Sequence, residues 1–185
     1  MHVEVIDSAI LHDGFRSRVR SDQVRFPDGS QGAREVIEHL DAVAIVPVHH
    51  DGTVTLLRHY RHPLTEEILE IPAGVLDVTG EDPADAARRE LAEEVGLAAD
   101  ELTHLTTFAN SPGWTDETTV VYLATGLTAT AAPDGFVAEG EEAAMREERL
   151  PLGQAVEAVR GERSDAKSLI GLLLASEALR GQQAE

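Results

Sequence analysis

Residues 74–97 read GVLDVTGEDPADAARRELAEEVGL, and its second half, Arg89-Glu90-Leu91-Ala92-Glu93-Glu94-Val95-Gly96-Leu97, decides the fold. The pattern predicts a helix. Asp82 is a natural N-cap, Pro83 fits the first helical position, and Asp85 suits the positive end of the dipole. Gly96 suits the left-handed position that ends a helix. Ala84, Ala87, Leu91 and Val95 form one apolar stripe, and Glu90, Glu93 and Glu94 share another face. That acidic face works against the helix. Like charges four apart cost roughly 0.2–0.5 kcal/mol, and carboxylates in the last turns oppose the macrodipole. One reading is a plain solvated face. The other is a divalent cation site, since crowded carboxylate oxygens are what Mg²⁺ and Mn²⁺ prefer.

These residues resemble the Nudix box, Gly-x5-Glu-x7-Arg-Glu-aliphatic-x-Glu-Glu-x-Gly-aliphatic. From Glu81 onward the match is complete. One departure precedes it: six residues, not five, separate Gly74 from Glu81, so Gly80 takes the expected glutamate position. This reads as a one-residue insertion in the loop Leu76–Gly80. A motif this long and ordered is specific.

Composition fits a small enzyme. The 185 residues suit one domain with an appendage, and 42% apolar residues are enough for a core. There is no cysteine, which excludes disulfides, thiolate metal sites and cysteine nucleophiles. The formal charge is 15 − 34 = −19, which argues against nucleic-acid and anionic-membrane partners. It leaves room for a small phosphorylated substrate, because a bound cation inverts the local field. The N-terminal residues lack the pattern of a secretory leader, and no apolar run reaches the ~20 residues of a membrane span, so the expected location is the cytoplasm.

Residues 1–40 alternate, as in Val3-Glu4-Val5-Ile6, and Pro27-Asp28-Gly29-Ser30 is a turn signal, so this region reads as an antiparallel meander. Alone it is too poor in apolar residues to be stable. Residues 41–185 form the second region. Ala42–Val48 is an apolar run fitting a buried strand, His50-Asp51-Gly52 a turn, and Val54–Tyr60 the returning strand. Ile68–Ile71, Leu102–Phe108 and Thr118–Thr125 read as strands, 126–142 as loop, and Leu152–Arg160 and Asp165–Leu179 as helices. The last helix is expected to bury Leu169, Leu172, Leu173 and Ala175.

The N-terminal strands, Arg61, Glu70-Ile71-Pro72-Ala73-Gly74, the box and Ser111-Pro112-Gly113 together resemble the ADP-ribose pyrophosphatase branch of the Nudix hydrolases. Pro112, fifteen residues past Leu97, matches the proline signature of that branch. The resemblance implies an α+β Nudix fold, a mixed β-sheet sandwiched between helices with a small N-terminal antiparallel β region. It implies a homodimer joined through the N-terminal strands, and hydrolysis of the pyrophosphate of ADP-ribose. It also implies the site. Glu90, Glu94 and the Ala73 carbonyl would hold Mg²⁺, with Mn²⁺ as the other candidate, and Glu93 a second ion. Arg89 would orient the glutamates and Glu81 would tether the loop. The acidic run after the main sheet would supply the general base: Glu142 first, then Glu141, with Glu139 also fitting. A residue of that run not acting as base would bind metal, and Glu142 is counted among the ligands. Arg34 and Arg61 would meet phosphate, Glu70 a ribose hydroxyl, and Trp114 the sugar or base. Another nucleotide sugar, a dinucleoside polyphosphate, or a non-catalytic sensor role are the alternatives.

Overall fold

The computed structural model describes residues 2–182. Two compact units emerge: the segment through Asp41 groups with Phe108–Thr119, and Ala42–Thr107 groups with the chain from Val120.

The first unit is an antiparallel meander of β1 (Glu4–Asp13), β2 (Ser17–Arg25) and β3 (Gln31–His39), in the order β1-β2-β3. The register runs Glu4 against Arg25 and Ser17 against His39, with two bulges in β1. The Pro27–Ser30 turn forms as expected: Gly29 takes a left-handed φ of 84°, and Asp28 accepts hydrogen bonds from the Ser30 backbone (2.9 Å) and hydroxyl (2.6 Å). Its interior is small. Val24 and Asp22 are buried, whereas every residue of β1 is exposed, including Val5, Ile6, Ile10 and Leu11.

The second unit holds the main core. Strand β4 (Ala42–Pro47) is buried from Val43 onward, and β5 (Thr53–Arg61) is buried over Val54–Leu57 and at His59, as their apolar runs require. β5 lies between β6 (Glu66–Glu70) and β10 (Arg146–Pro151) in one sheet. β4 lies between β7 (Ala73–Val75) and β9 (Thr118–Ala129) in another, which β8 (Leu97–Ala109) completes. Helix α1 (Pro83–Val95) packs Ala86, Ala87, Leu91 and Val95 onto Val43, Ile45 and Leu57. Helices α2 (Leu152–Gly161) and α3 (Ala166–Gln182) follow β10.

Several expectations need correction. Ala86 is fully buried and Ala84 only partly, so the apolar stripe of α1 is turned from the one expected. In α3 the buried face is Ser168, Gly171, Leu172 and Ala175, and Leu173 is exposed. The helix turns on Gly171, where an added Cβ would lie 2.9 Å from Ile71 Cδ1 and 3.1 Å from Val46 Cγ2. Any side chain here would have to displace the ends of Ile71 and Val46, so glycine lets α3 approach the sheet without rearrangement. β9 extends to Ala129, into the segment expected to be loop. β7 and β10 are strands that the pattern of apolar residues does not announce.

Candidate active site

Helix α1 begins and ends as its caps dictate. The Asp82 side chain accepts from the Ala84 N–H at 2.8 Å, and Gly96 closes the helix at φ 59°. Between these caps the acidic face is organised by one arginine. Arg89 Nε and Nη2 meet the two oxygens of Glu81 at 3.1 and 3.0 Å, a bidentate pair. Arg89 Nη1 reaches Glu90 Oε1 at 2.6 Å and Glu93 Oε2 at 3.1 Å. Asp77 lies 3.7 Å from Nη2. So many anions push the Arg89 pKa upward, the Glu81 hydrogen bonds most. Glu81 thus ties the preceding loop to the helix. The loop turns at Val78–Glu81, where Gly80 adopts φ 81°, and Glu81 keeps its contact with Arg89.

Two carboxylates of this face, Glu90 and Glu94, are pressed into the protein. Glu90 is 9% exposed and sits against the backbone of β7: a Cβ on Gly74 would fall 2.0 Å from the Glu90 carboxylate carbon. The family glycine is therefore required by contact. Glu94 Oε2 accepts from the Ala73 N–H at 2.9 Å. Burial raises the pKa of Glu94 to about 8, with Glu90 adding repulsion, while the Ala73 N–H and the cations Lys167 and Arg61 oppose it. Burial raises Glu90 to about 7, against the pull of Arg89. Desolvated carboxylates this close together are poor neighbours for each other and good ligands for a hard divalent cation, so the donor set fits one. In this arrangement Glu90 and Glu93 are turned toward Arg89, and among the described residues no three acidic or histidine side chains already converge on a single point.

Beside α1 stands a second ionic cluster. Arg61, at the end of β5, donates to both oxygens of Glu70, Nε at 2.7 Å and Nη2 at 2.6 Å. Glu70 is 2% exposed and also accepts from Lys167 Nζ at 2.7 Å. These cations overcome burial and lower its pKa to about 2. Both Glu70 oxygens are therefore engaged by protein cations. Lys167 also contacts Asp165. Lys167 is the only lysine in the chain, a feature that from sequence alone reads as codon bias rather than function.

Glu139, Glu141 and Glu142 lie on an exposed loop ending in a single 3-10 turn, Glu142–Ala144, that runs into β10. No side-chain partner holds any of the three among the described residues. Arg34, Pro112 and Trp114 belong to the other unit. Arg34 stacks 4.9 Å from the Phe26 ring centroid, Pro112 sits in a turn, and Trp114 is half exposed with its indole N–H on Ser111 Oγ.

The profile of the NUDIX domain matches residues 38–170. The chain belongs to the Nudix family. It is similar to an ADP-ribose pyrophosphatase of Mycobacterium tuberculosis, 43% identical over 92% of this chain and 81% of that protein. It is also similar to a methanol dehydrogenase activator of Bacillus methanolicus, 36% identical over 91% and 90%. Among solved structures, an ADP compounds hydrolase superposes with a TM-score of 0.84 at 25% identity, over 98% of this chain and 96% of that one. The α+β Nudix architecture expected from the sequence is the one observed. Nudix enzymes generally work with a divalent metal ion. No helix among the described residues is long and apolar enough to cross a membrane.

Proposed function

We infer that this Nudix enzyme hydrolyses the pyrophosphate bond of ADP-ribose, giving AMP and ribose 5-phosphate. The observation that carries the reading is the intact carboxylate set of α1, gathered by Arg89 and seated on Gly74, in a chain 43% identical to an ADP-ribose pyrophosphatase. Glu90 and Glu94, with the Ala73 carbonyl, would hold Mg²⁺ or Mn²⁺, and Glu93 or Glu142 would complete the set. Bound there, the ion would neutralise phosphate charge and acidify a water. Glu142, or Glu141 beside it, would accept the proton of the attacking water. Their exposure and lack of side-chain partners suit a loop that meets the site only when substrate is present. Arg61 meets phosphate with the edge Glu70 leaves free.

Turnover of ADP-ribose beside ADP-glucose, GDP-mannose, NADH and a dinucleoside polyphosphate, with Mg²⁺ or Mn²⁺, tests the reading. A clear preference for ADP-ribose is expected. Preference for another of these compounds would move the substrate while keeping the chemistry; binding without turnover would make the protein a sensor.

We also infer a homodimer working in the cytoplasm. Its support is β1, a strand exposed on both faces that carries Val5, Ile6, Ile10 and Leu11, which a second copy would cover. Removal of residues 1–40 should cause aggregation or loss of activity, and a well-behaved, fully active monomer lacking them would refute the dimer.

A further inference from the structure

We propose that Lys167 is a positioning residue for substrate binding, acting through the buried Glu70 carboxylate to fix the guanidinium of Arg61. The proposal rests on the reading of this site as one for a pyrophosphate substrate.

The chain of contacts is continuous. Lys167 Nζ lies 2.7 Å from Glu70 Oε2, and the Glu70 oxygens take Arg61 Nη2 and Nε at 2.6 and 2.7 Å. Among the described residues no acceptor holds Arg61 Nη1, so one edge of the fork remains for an anion. Both ends of the chain are fixed. The Arg61 carbonyl accepts from the Leu64 and Thr65 N–H groups, each at 2.9 Å, across a turn in which Thr65 takes the left-handed φ of 56°. Lys167 stands in the first turn of α3. There Asp165 accepts from the Ser168 N–H at 2.7 Å, and Ser168 Oγ accepts from the Ile71 N–H at 3.0 Å. Successive residues of the helix thus hold successive residues at the end of β6.

Helix stability does not explain this lysine. A cation in a first helical turn opposes the macrodipole. Glu70 does explain it: a carboxylate 2% exposed must be compensated, and Arg61 alone would then be consumed as a simple counter-ion. With Lys167 sharing the Glu70 charge, Arg61 is not the sole counter-ion of Glu70; Asp165 faces Lys167 in turn, so the cluster of two cations and two anions is neutral, and what Arg61 offers a phosphate is its unpartnered Nη1 edge. Among the other groups that set its charge are the Asp165 carboxylate, beside Lys167, and Glu94 on α1.

Lys167→Met tests this in the full-length protein with metal. The expected result is a KM for ADP-ribose raised about tenfold, the size of one lost charge-assisted hydrogen bond, with kcat within about threefold and the metal requirement unchanged. Lys167→Arg should recover most of the affinity. In an Arg61→Ala background, Lys167→Met should change KM no further, whereas a general structural role would lower activity additively. Should Lys167→Met not fold, Lys167→Gln carries the same expectation. Wild-type KM in either folded variant, or additivity with Arg61→Ala, overturns the proposal. Inorganic pyrophosphate binding, measured by calorimetry on the same proteins, separates the two layers. If the wild type hydrolyses no ADP-ribose, the substrate reading fails, while a weakening of pyrophosphate binding by Lys167→Met still supports the clamp and its absence refutes it.

Discussion

The molecule carries two acidic clusters of the same residue type in opposite physical states. On α1, Glu90 and Glu94 are desolvated, Glu93 and Glu81 are gripped by Arg89, and the backbone of β7 touches two of the carboxylates. On the loop before β10, Glu139, Glu141 and Glu142 are exposed. On the roles proposed above, the difference is a division of labour. A metal ligand must be placed before the metal arrives, so its carboxylate is held and bears the cost of burial. A proton acceptor needs to act only in the transition state, so it can remain in water until then.

The largest test breaks the buried cluster. Glu94→Gln should lower kcat by ~10³-fold or more, since a metal ligand contributes several kcal/mol to the transition state. It should not cost stability without metal, because Gln keeps an acceptor for the Ala73 N–H and removes a desolvated acid. Thermal melts and steady-state rates on one preparation check both; full activity would end the assignment.

Next comes the exposed cluster. Of Glu139→Gln, Glu141→Gln and Glu142→Gln, one should lower kcat about 10²-fold or more with little change in KM. A metal titration of each variant separates a base, whose loss spares metal affinity, from a ligand. If all three retain wild-type kcat, the base lies elsewhere and Glu93 is the next residue to replace.

A smaller effect follows from protonation. The folded pKa values of Glu94 (about 8) and Glu90 (about 7) are raised above the ordinary 4.5 by burial. Between about 4.5 and 8 the folded, metal-free protein therefore binds more protons than the unfolded chain. The stability from these two acids is complete below that window and is lost as pH rises through it. With metal chelated, the Tm advantage of Glu94→Gln over wild type should grow from pH 5 to pH 8.5, by at least ~3 °C, about one kcal/mol for a chain of this length. Added Mg²⁺ should raise the wild-type Tm more at the upper pH. A difference independent of pH would show that Glu94 is not held protonated.

The smallest effect leaves chemistry alone. Asp82→Ala removes the N-cap and should cost about 1 kcal/mol in denaturant unfolding with kcat unchanged. A large fall in kcat would mean that the cap, and not Arg89, aligns the carboxylates.

The helix and its box were readable because each feature is local: a cap, a proline at the first position, a glycine to stop, and charges at fixed spacing. The apolar runs of β4 and β5 were readable for the same reason. β10, with the sequence REERLP, was not. It pairs with β5 along the backbone, helped by ion pairs of Arg58 with Glu148 at 2.9 Å and of Arg149 with Asp51, in the turn before β5, at 3.0 Å, and partners distant in sequence leave no periodic trace. β7 is three residues long and exists because β4 lies beside it. Lys167 read from sequence as codon bias because its contact is with Glu70, ninety-seven positions away. The buried face of α3 was misjudged by hydropathy, since the closest approach there is made by Gly171 and not by a leucine.

That glycine has a reach beyond packing. The helix it seats against Ile71, Val46 and Val121 also brings Ser168 to Ile71 and Lys167 to Glu70. A single methyl at residue 171 would press on the side-chain ends of Ile71, Val46 and Val121, and either those side chains shift or the helix lifts from the strand that ends in Glu70. A Gly171→Ala allele is thus a rational place to seek a temperature-sensitive form of the enzyme, one that works at low growth temperature and releases its substrate clamp on warming.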